Sequence, residues 1–154
     1  MSKVYLSIYI VILIVIDYLV KNYASSNLTP FETVQFLPFL NFYLTSNTGI
    51  AFSMFDYGSG LSSYVLLFIA IAVVIFLIIQ LLKETNHLSQ IGFVLIIGGA
   101  LGNIIDRALD GAVTDFLHFY INNFSFFIFN PADAFITIGA IVLIFSELKK
   151  TSNV

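Results

Sequence analysis

The sequence has no cysteine, which excludes disulfides, thiolate metal sites and a cysteine nucleophile and leaves the redox compartment unmarked. Charge is also scarce: six Lys and Arg stand against nine Asp and Glu, for a net charge of -3. A nucleic-acid partner needs a basic patch, and no such patch is present. There is no internal repeat, no low-complexity tract and no long flexible linker, so nothing marks a second domain. What the chain has is apolar surface. Of its 154 residues 59% are hydrophobic and 10% charged, with mean hydropathy +0.99, against roughly 45 to 50% apolar residues in a soluble domain. This is the composition of a membrane protein, and the length suits one bundle of four spans of ~20 residues each.

Four apolar runs fit those spans, at about 4–21, 63–82, 88–107 and 131–148. The first could be taken for a cleaved signal peptide, but Asp17 and Lys21 stand where a cleavage region needs small neutral residues, and three more runs follow. The second has no charged residue over "SYVLLFIAIAVVIFLIIQLL". In the third, Gly98 and Gly102 make a GxxxG step at which another helix can approach closely. The fourth opens with Asn130 as N-cap, Pro131 at the first helical position and Asp133 in the first turn. Lys3, Lys83, Lys149 and Lys150 fall on one side of the membrane if both termini are cytoplasmic, leaving Lys21 and Arg107 for the other, so the positive-inside rule favours N-in and C-in. Two longer connections, about 22–62 and 106–130, are then outside, while the loop "KETNHLSQ" is inside. Residues 31–55 are rich in aromatic and β-branched residues with partial alternation, which predicts a small sheet or hairpin within an outer β-rich loop at about 28–58. Its Phe and Tyr side chains are expected at the headgroup level.

Charged residues within or at the edge of the apolar runs, apart from Glu147, gather at the outer ends. Asn103, Asp106 and Arg107 share one helix face, and Asp106 with Arg107 reads as an ion pair ending a span; Asp17 and Lys21 make a similar i, i+4 pair. Asp115, in "GAVTDFLHF", is a carboxylate among apolar residues close to the membrane surface, which is costly without a partner or water. Asp133 can simply complement the helix dipole. Alternatively, Asp115 and Asp133 are paired carboxylates sharing one proton, able to activate a water against an amide. A Ser-His-Asp triad would have to use His118, and no serine stands in a nucleophile-elbow context. A metal set of Asp106, Asp110, Asp115 and His118 matches no defensible spacing. No metal and no cofactor is expected. A transporter or proton relay could use the same acids, but it needs ionisable groups through the depth of the bundle, and the inner halves of the spans offer little beyond Gln80. A structural subunit gives no reason for polar residues to converge on one side.

The motifs "DYLVK" (17–21), "NTGIAF" (47–52), "GGALGNIIDR" (98–107), "VTDF" (113–116) and "FNPAD" (129–133) occur in the order of a known family. Over nearly its whole length the chain resembles lipoprotein signal peptidase, or signal peptidase II, the bacterial intramembrane aspartic proteases that remove signal peptides from lipid-modified prolipoproteins. The resemblance implies an all-α membrane protein of four transmembrane helices with a small extracytoplasmic β-cradle and an outer helical loop, forming a single peptidase domain over 1–154. It places the catalytic pair at Asp115 and Asp133 and a supporting polar lining at Asn47, Gly49, Asn103, Asp106, Arg107 and Asn130, with Asp17 and Lys21 supporting from the first helix. It implies cleavage on the N-terminal side of a diacylglyceryl-modified cysteine, with prolipoproteins and membrane lipids as partners, by a monomer in the bacterial cytoplasmic membrane. Three positions depart from the family pattern: His118 stands where an acid is common, Ile50 where alanine is, and Pro131 where a branched apolar residue is. An imidazole near Asp115 would bear on the local electrostatics.

Overall fold

Helix α1 (Lys3–Asn27) starts at Ser2, whose hydroxyl accepts the Tyr5 N–H at 3.4 Å. It ends where the extended Leu28 returns its N–H to the Ala24 carbonyl. Its inward stripe runs Leu6, Ile10, Leu13, Asp17, Lys21, Ala24, the 3-and-4 spacing that keeps residues on one helix face. Most of its other apolar side chains are exposed, Val4 and Leu19 among them, as expected of surface that faces lipid. In this computed structural model, residues 1–49, 61–122 and 124–151 are described.

Helices α2 (Leu61–Lys83), α3 (His87–Asp110) and α4 (Pro131–Thr151) complete four helices long and apolar enough to cross a membrane. Helix α3 is the central one, packed by the other three. Its glycines explain why. A Cβ at Gly98 would meet the Leu13 side chain of α1, one at Gly102 would lie 2.5 Å from Asp17 Oδ2, and one at Gly99 would strike the Ala132 carbonyl of α4. Gly92 of α3 and Gly139 of α4 likewise lie against each other's backbone. Close approach of this kind lets helices associate where lipid competes for every apolar contact. Leu6, Val74, Leu81, Val94 and Ile97 form the apolar core of the bundle half away from the sheet.

Outside the helices lies one antiparallel sheet in the order β1-β2-β3-β4, with β1 at Thr33–Leu37, β2 at Leu40–Asn47, β3 at Val113–Ile121 and β4 at Phe124–Phe129. The connection between α1 and α2 supplies β1 and β2, as its alternation predicts, and that between α3 and α4 supplies the other hairpin. The centre of the sheet is therefore a long-range pairing, with Asn47 opposite Val113 and Thr45 opposite Asp115. The sheet sits on the end of α1, where Ala24, Leu44 and Phe116 are buried together. An outer helical loop is not found among the described residues, and the part of the β-rich loop expected at 50–58, with Ile50, lies outside them.

At the opposite end, Asn86 caps α3 by accepting the Leu88 and Ser89 N–H groups at 2.8 and 3.1 Å. Glu84 accepts from Asn86 N and Thr85 N and pairs with Lys150 at 3.2 Å. Those bonds, the Asn86 N–H first, hold the Glu84 carboxyl below its ordinary range. The buried Ser89 and Ser146 hydroxyls meet at 2.8 Å, fastening α3 to α4.

Candidate active site

The site grows from the start of α4. Asn130, fully buried, is the N-cap: its Oδ1 accepts the Asp133 N–H at 3.0 Å, and the Asp133 carboxylate accepts the Asn130 N–H at 3.2 Å. This is a reciprocal capping box in which Asn and Asp take the places of the usual Ser/Thr and Glu/Gln. The capping amide has an N–H₂ left over, and that group donates to Asp115 Oδ1 at 2.6 Å. One asparagine thus joins the two carboxylates, one on β3 and the other in the first turn of α4.

Each remaining oxygen of the pair meets another asparagine. Asn47, at the end of β2, donates to Asp115 Oδ2 at 3.0 Å while its own Oδ1 accepts the Gly49 N–H at 3.1 Å. Asn103 of α3 donates to Asp133 Oδ1 at 2.8 Å while its Oδ1 accepts from Lys21 Nζ at 2.9 Å. In all three amides the oxygen is held by an N–H donor, so the N–H₂ must face a carboxylate. Asp115 is buried, and burial pushes its carboxyl up to about 6. The Asn47 hydrogen bond works against that shift, and the nearby Asp133 charge adds to it.

Beneath lies an ion cluster. Lys21 Nζ reaches Asp17 Oδ2 at 2.7 Å and Asp106 Oδ2 at 3.0 Å, in addition to Asn103. Asp17 Oδ1 accepts the Ala132 N–H of α4 at 2.9 Å, and Asp106 accepts the Thr114 N–H of β3 at 3.2 Å. Asp17 and Lys21 are only 1% and 3% exposed. This corrects the reading of the pair as an interfacial contact: both lie on the inward stripe of α1, and Gly102 leaves room for the carboxylate. The Asp106–Arg107 ion pair is also corrected. Neighbouring residues do not face each other on a helix, so Asp106 turns to Lys21 and Arg107 turns to the Gly49 carbonyl at 3.4 Å.

Asp115, Asp133, Asn47, Gly49, Asn103, Asp106, Arg107, Asn130, Asp17 and Lys21 are thus joined in one set of contacts. The rival sets do not assemble. His118 bonds Ser125 Oγ at 2.7 Å, but its Nδ1 has no carboxylate partner among the described residues, so no triad forms among them. No group of three acids and histidines able to hold a metal occurs among the described residues. His118 lies three positions from Asp115 on one strand, an odd number that sends the two side chains to opposite faces. Asp115 meets Asn47 and Asn130 instead. Sequence reasoning missed Gly99, which seats the first turn of α4, and the Ala132 and Thr114 N–H groups that Asp17 and Asp106 bind. Gly99, Gly102 and Asp106 follow helical 3-and-4 spacing on α3, a signal that could have found the glycine; backbone donors leave none.

Comparison with known proteins is consistent across three kinds of match. The family model described as signal peptidase (SPase) II matches residues 9–149. A lipoprotein signal peptidase of Mesorhizobium japonicum is 42% identical over 140 residues, spanning 90% of this chain and 82% of that protein. One from Bartonella henselae is 44% identical over 137 residues, spanning 86% and 82%. A bacterial membrane enzyme solved by the in meso method at 2.3 Å superposes with a TM-score of 0.83 at 31% identity, covering 98% of this chain and 92% of that one. The transporter alternative gains no support from these relatives. With a family model covering most of its length and relatives of this similarity, the chain belongs to the signal peptidase II family.

Proposed function

We propose that this multi-pass membrane peptidase removes signal peptides from diacylglyceryl-modified prolipoproteins, cutting on the N-terminal side of the lipidated cysteine, with Asp115 and Asp133 as a catalytic dyad. The observation that carries the assignment is the Asn130 bridge, which holds one oxygen of Asp115 and caps the helix that presents Asp133. Like charges brought close share a proton, as in aspartic proteases. The raised proton affinity of Asp115 supports placing that proton on Asp115 at rest, leaving Asp133 ionised with two N–H donors. Asp133 then takes a proton from water as its oxygen attacks the scissile carbonyl, and Asp115 gives its proton to the carbonyl oxygen. Collapse of the tetrahedral species returns that proton to Asp115 and passes the other from Asp133 to the leaving cysteine amine. No net proton is consumed, and the C–N bond is the one that breaks.

Both termini are assigned to the cytoplasm and the site to the outer face. Lys21 is taken up by Asp17 and Asp106, so it adds little free positive charge on the outer side, and the bias of Lys3, Lys83, Lys149 and Lys150 is the stronger for it. A single chain supplies every residue of the proposed site, which supports a monomer. A lipid anchor on the substrate would hold the scissile bond at the depth of the dyad, each buried CH₂ contributing about 0.8 kcal/mol. The test is to incubate the purified protein with one precursor in lipidated and unlipidated forms and follow cleavage by mass. Release of the signal peptide from the lipidated form alone is expected. Cleavage of neither form overturns the activity, and equal cleavage of both removes lipid from its selectivity.

A further inference from the structure

Two of the three asparagines that feed the paired carboxylates are pinned by backbone: Asn47 by the Gly49 N–H and Asn130 by the Asp133 N–H. The third, Asn103, is pinned by a side chain, Lys21. An ammonium has three N–H donors and no acceptor, and the three donors of Lys21 have three acceptors, on Asp17, Asp106 and Asn103. The arrangement is saturated only while Lys21 is charged. Because the lysine cannot accept, Asn103 must turn its oxygen toward it and its N–H₂ toward Asp133 Oδ1. Without the lysine the amide is free to turn over. Its oxygen would then face Asp133, a contact that favours the protonated acid, whereas the N–H₂ favours the carboxylate.

We infer that Lys21, on α1 and out of contact with either carboxylate of the pair, is a positioning residue that fixes the orientation of the Asn103 amide and thereby keeps an N–H₂ donor on Asp133. This rests on the dyad reading and goes beyond it. A lysine that only ties helices together would affect the amount of folded enzyme and the rate alike at every pH. One that decides whether Asp133 faces an amide N–H₂ or an amide oxygen changes the pH at which activity appears.

The experiment measures kcat/KM for a lipidated precursor against pH in detergent micelles, normalised to folded protein. In Lys21→Met the acid limb is expected to move upward by about one pH unit, with much of the rate recovered at the new optimum. Asp17→Asn/Lys21→Met removes the buried charges as a pair and is read the same way if the single variant does not fold. Asn103→Ala leaves both ion pairs of Lys21 in place while removing a donor to Asp133, and it is expected to move the limb in the same direction. A limb that stays in its wild-type position in the folded variants, whatever the rate, overturns the inference. Full activity of Asp115→Asn or Asp133→Asn would instead overturn the dyad, so the two failures are distinguishable.

Discussion

Replacing Asp115 or Asp133 with Asn keeps the side-chain size but removes the exchangeable carboxyl proton. Each change is expected to lower turnover of a lipidated precursor on the order of 10²- to 10⁴-fold, while Asp106→Asn, which reaches Asp133 only through Lys21 and Asn103, is milder. Comparing the three at equal folded concentration checks the ranking, and substantial activity in either dyad variant would eliminate the pair. Asp115 also carries a stability signature. Its carboxyl titrates at about 6 in the folded chain, above the ordinary 3.8, so the folded state binds the proton more tightly than the unfolded one. The resulting stabilisation is fully present below pH 3.8 and is lost as pH rises through 6. The unfolding midpoint of the wild type should therefore fall across that window, with a shallower fall in Asp115→Asn. Identical slopes in the two proteins would show that the burial of Asp115 has no such cost.

At the scale of elements, α3 decides where the others sit. Gly102→Ala puts a methyl group 2.5 Å from Asp17 Oδ2, and Asp17 cannot yield without releasing Lys21 and the Ala132 N–H. Destabilisation of about 1–3 kcal/mol is expected from such overpacking, with activity falling further than folded yield. A variant as stable and active as wild type would mean that α1 can move aside. The same helix shows what could be read in advance. Apolar runs marked all four spans, and the Asn130-Pro131 start of α4 was legible because cap chemistry is local. The last turns of α1 were not: "NYASSN" is polar and reads as loop, yet Ala24 is held there by Leu44 and Phe116, a contact with strands far along the chain. Strands β3 and β4 escaped because "HFYINNFSFFIF" is aromatic on consecutive positions and lacks alternation. The pairing of Asp115 with Asp133 was legible as one of two alternatives from the residues, and the family resemblance favoured it. The amide geometry around them did not, since Asn47, Asn103 and Asn130 meet only after three separate elements have packed.

At the scale of the whole molecule, membrane orientation is directly testable because the chain has no cysteine of its own. An impermeant thiol reagent applied to intact cells is expected to label Ser46→Cys, exposed on β2, and to spare Lys83→Cys, exposed at the end of α2; the reverse pattern would invert the topology. The β2–β3 pairing has a further consequence, for biogenesis. The ribosome delivers β2 first, and its partner follows only after α2 and α3 have been synthesised. Until then β2 has a bare edge and Asn47 has no Asp115 to bind, so the proposed site is incomplete through most of translation. Assembly must be a late joining of two inserted halves, as membrane helices that are stable separately can do. Co-expression of residues 1–85 with residues 86–154 should then restore cleavage of a lipidated precursor that neither fragment cleaves alone. A second fragment active by itself would show that Asp115 and Asp133 need neither Asn47 nor the first helix.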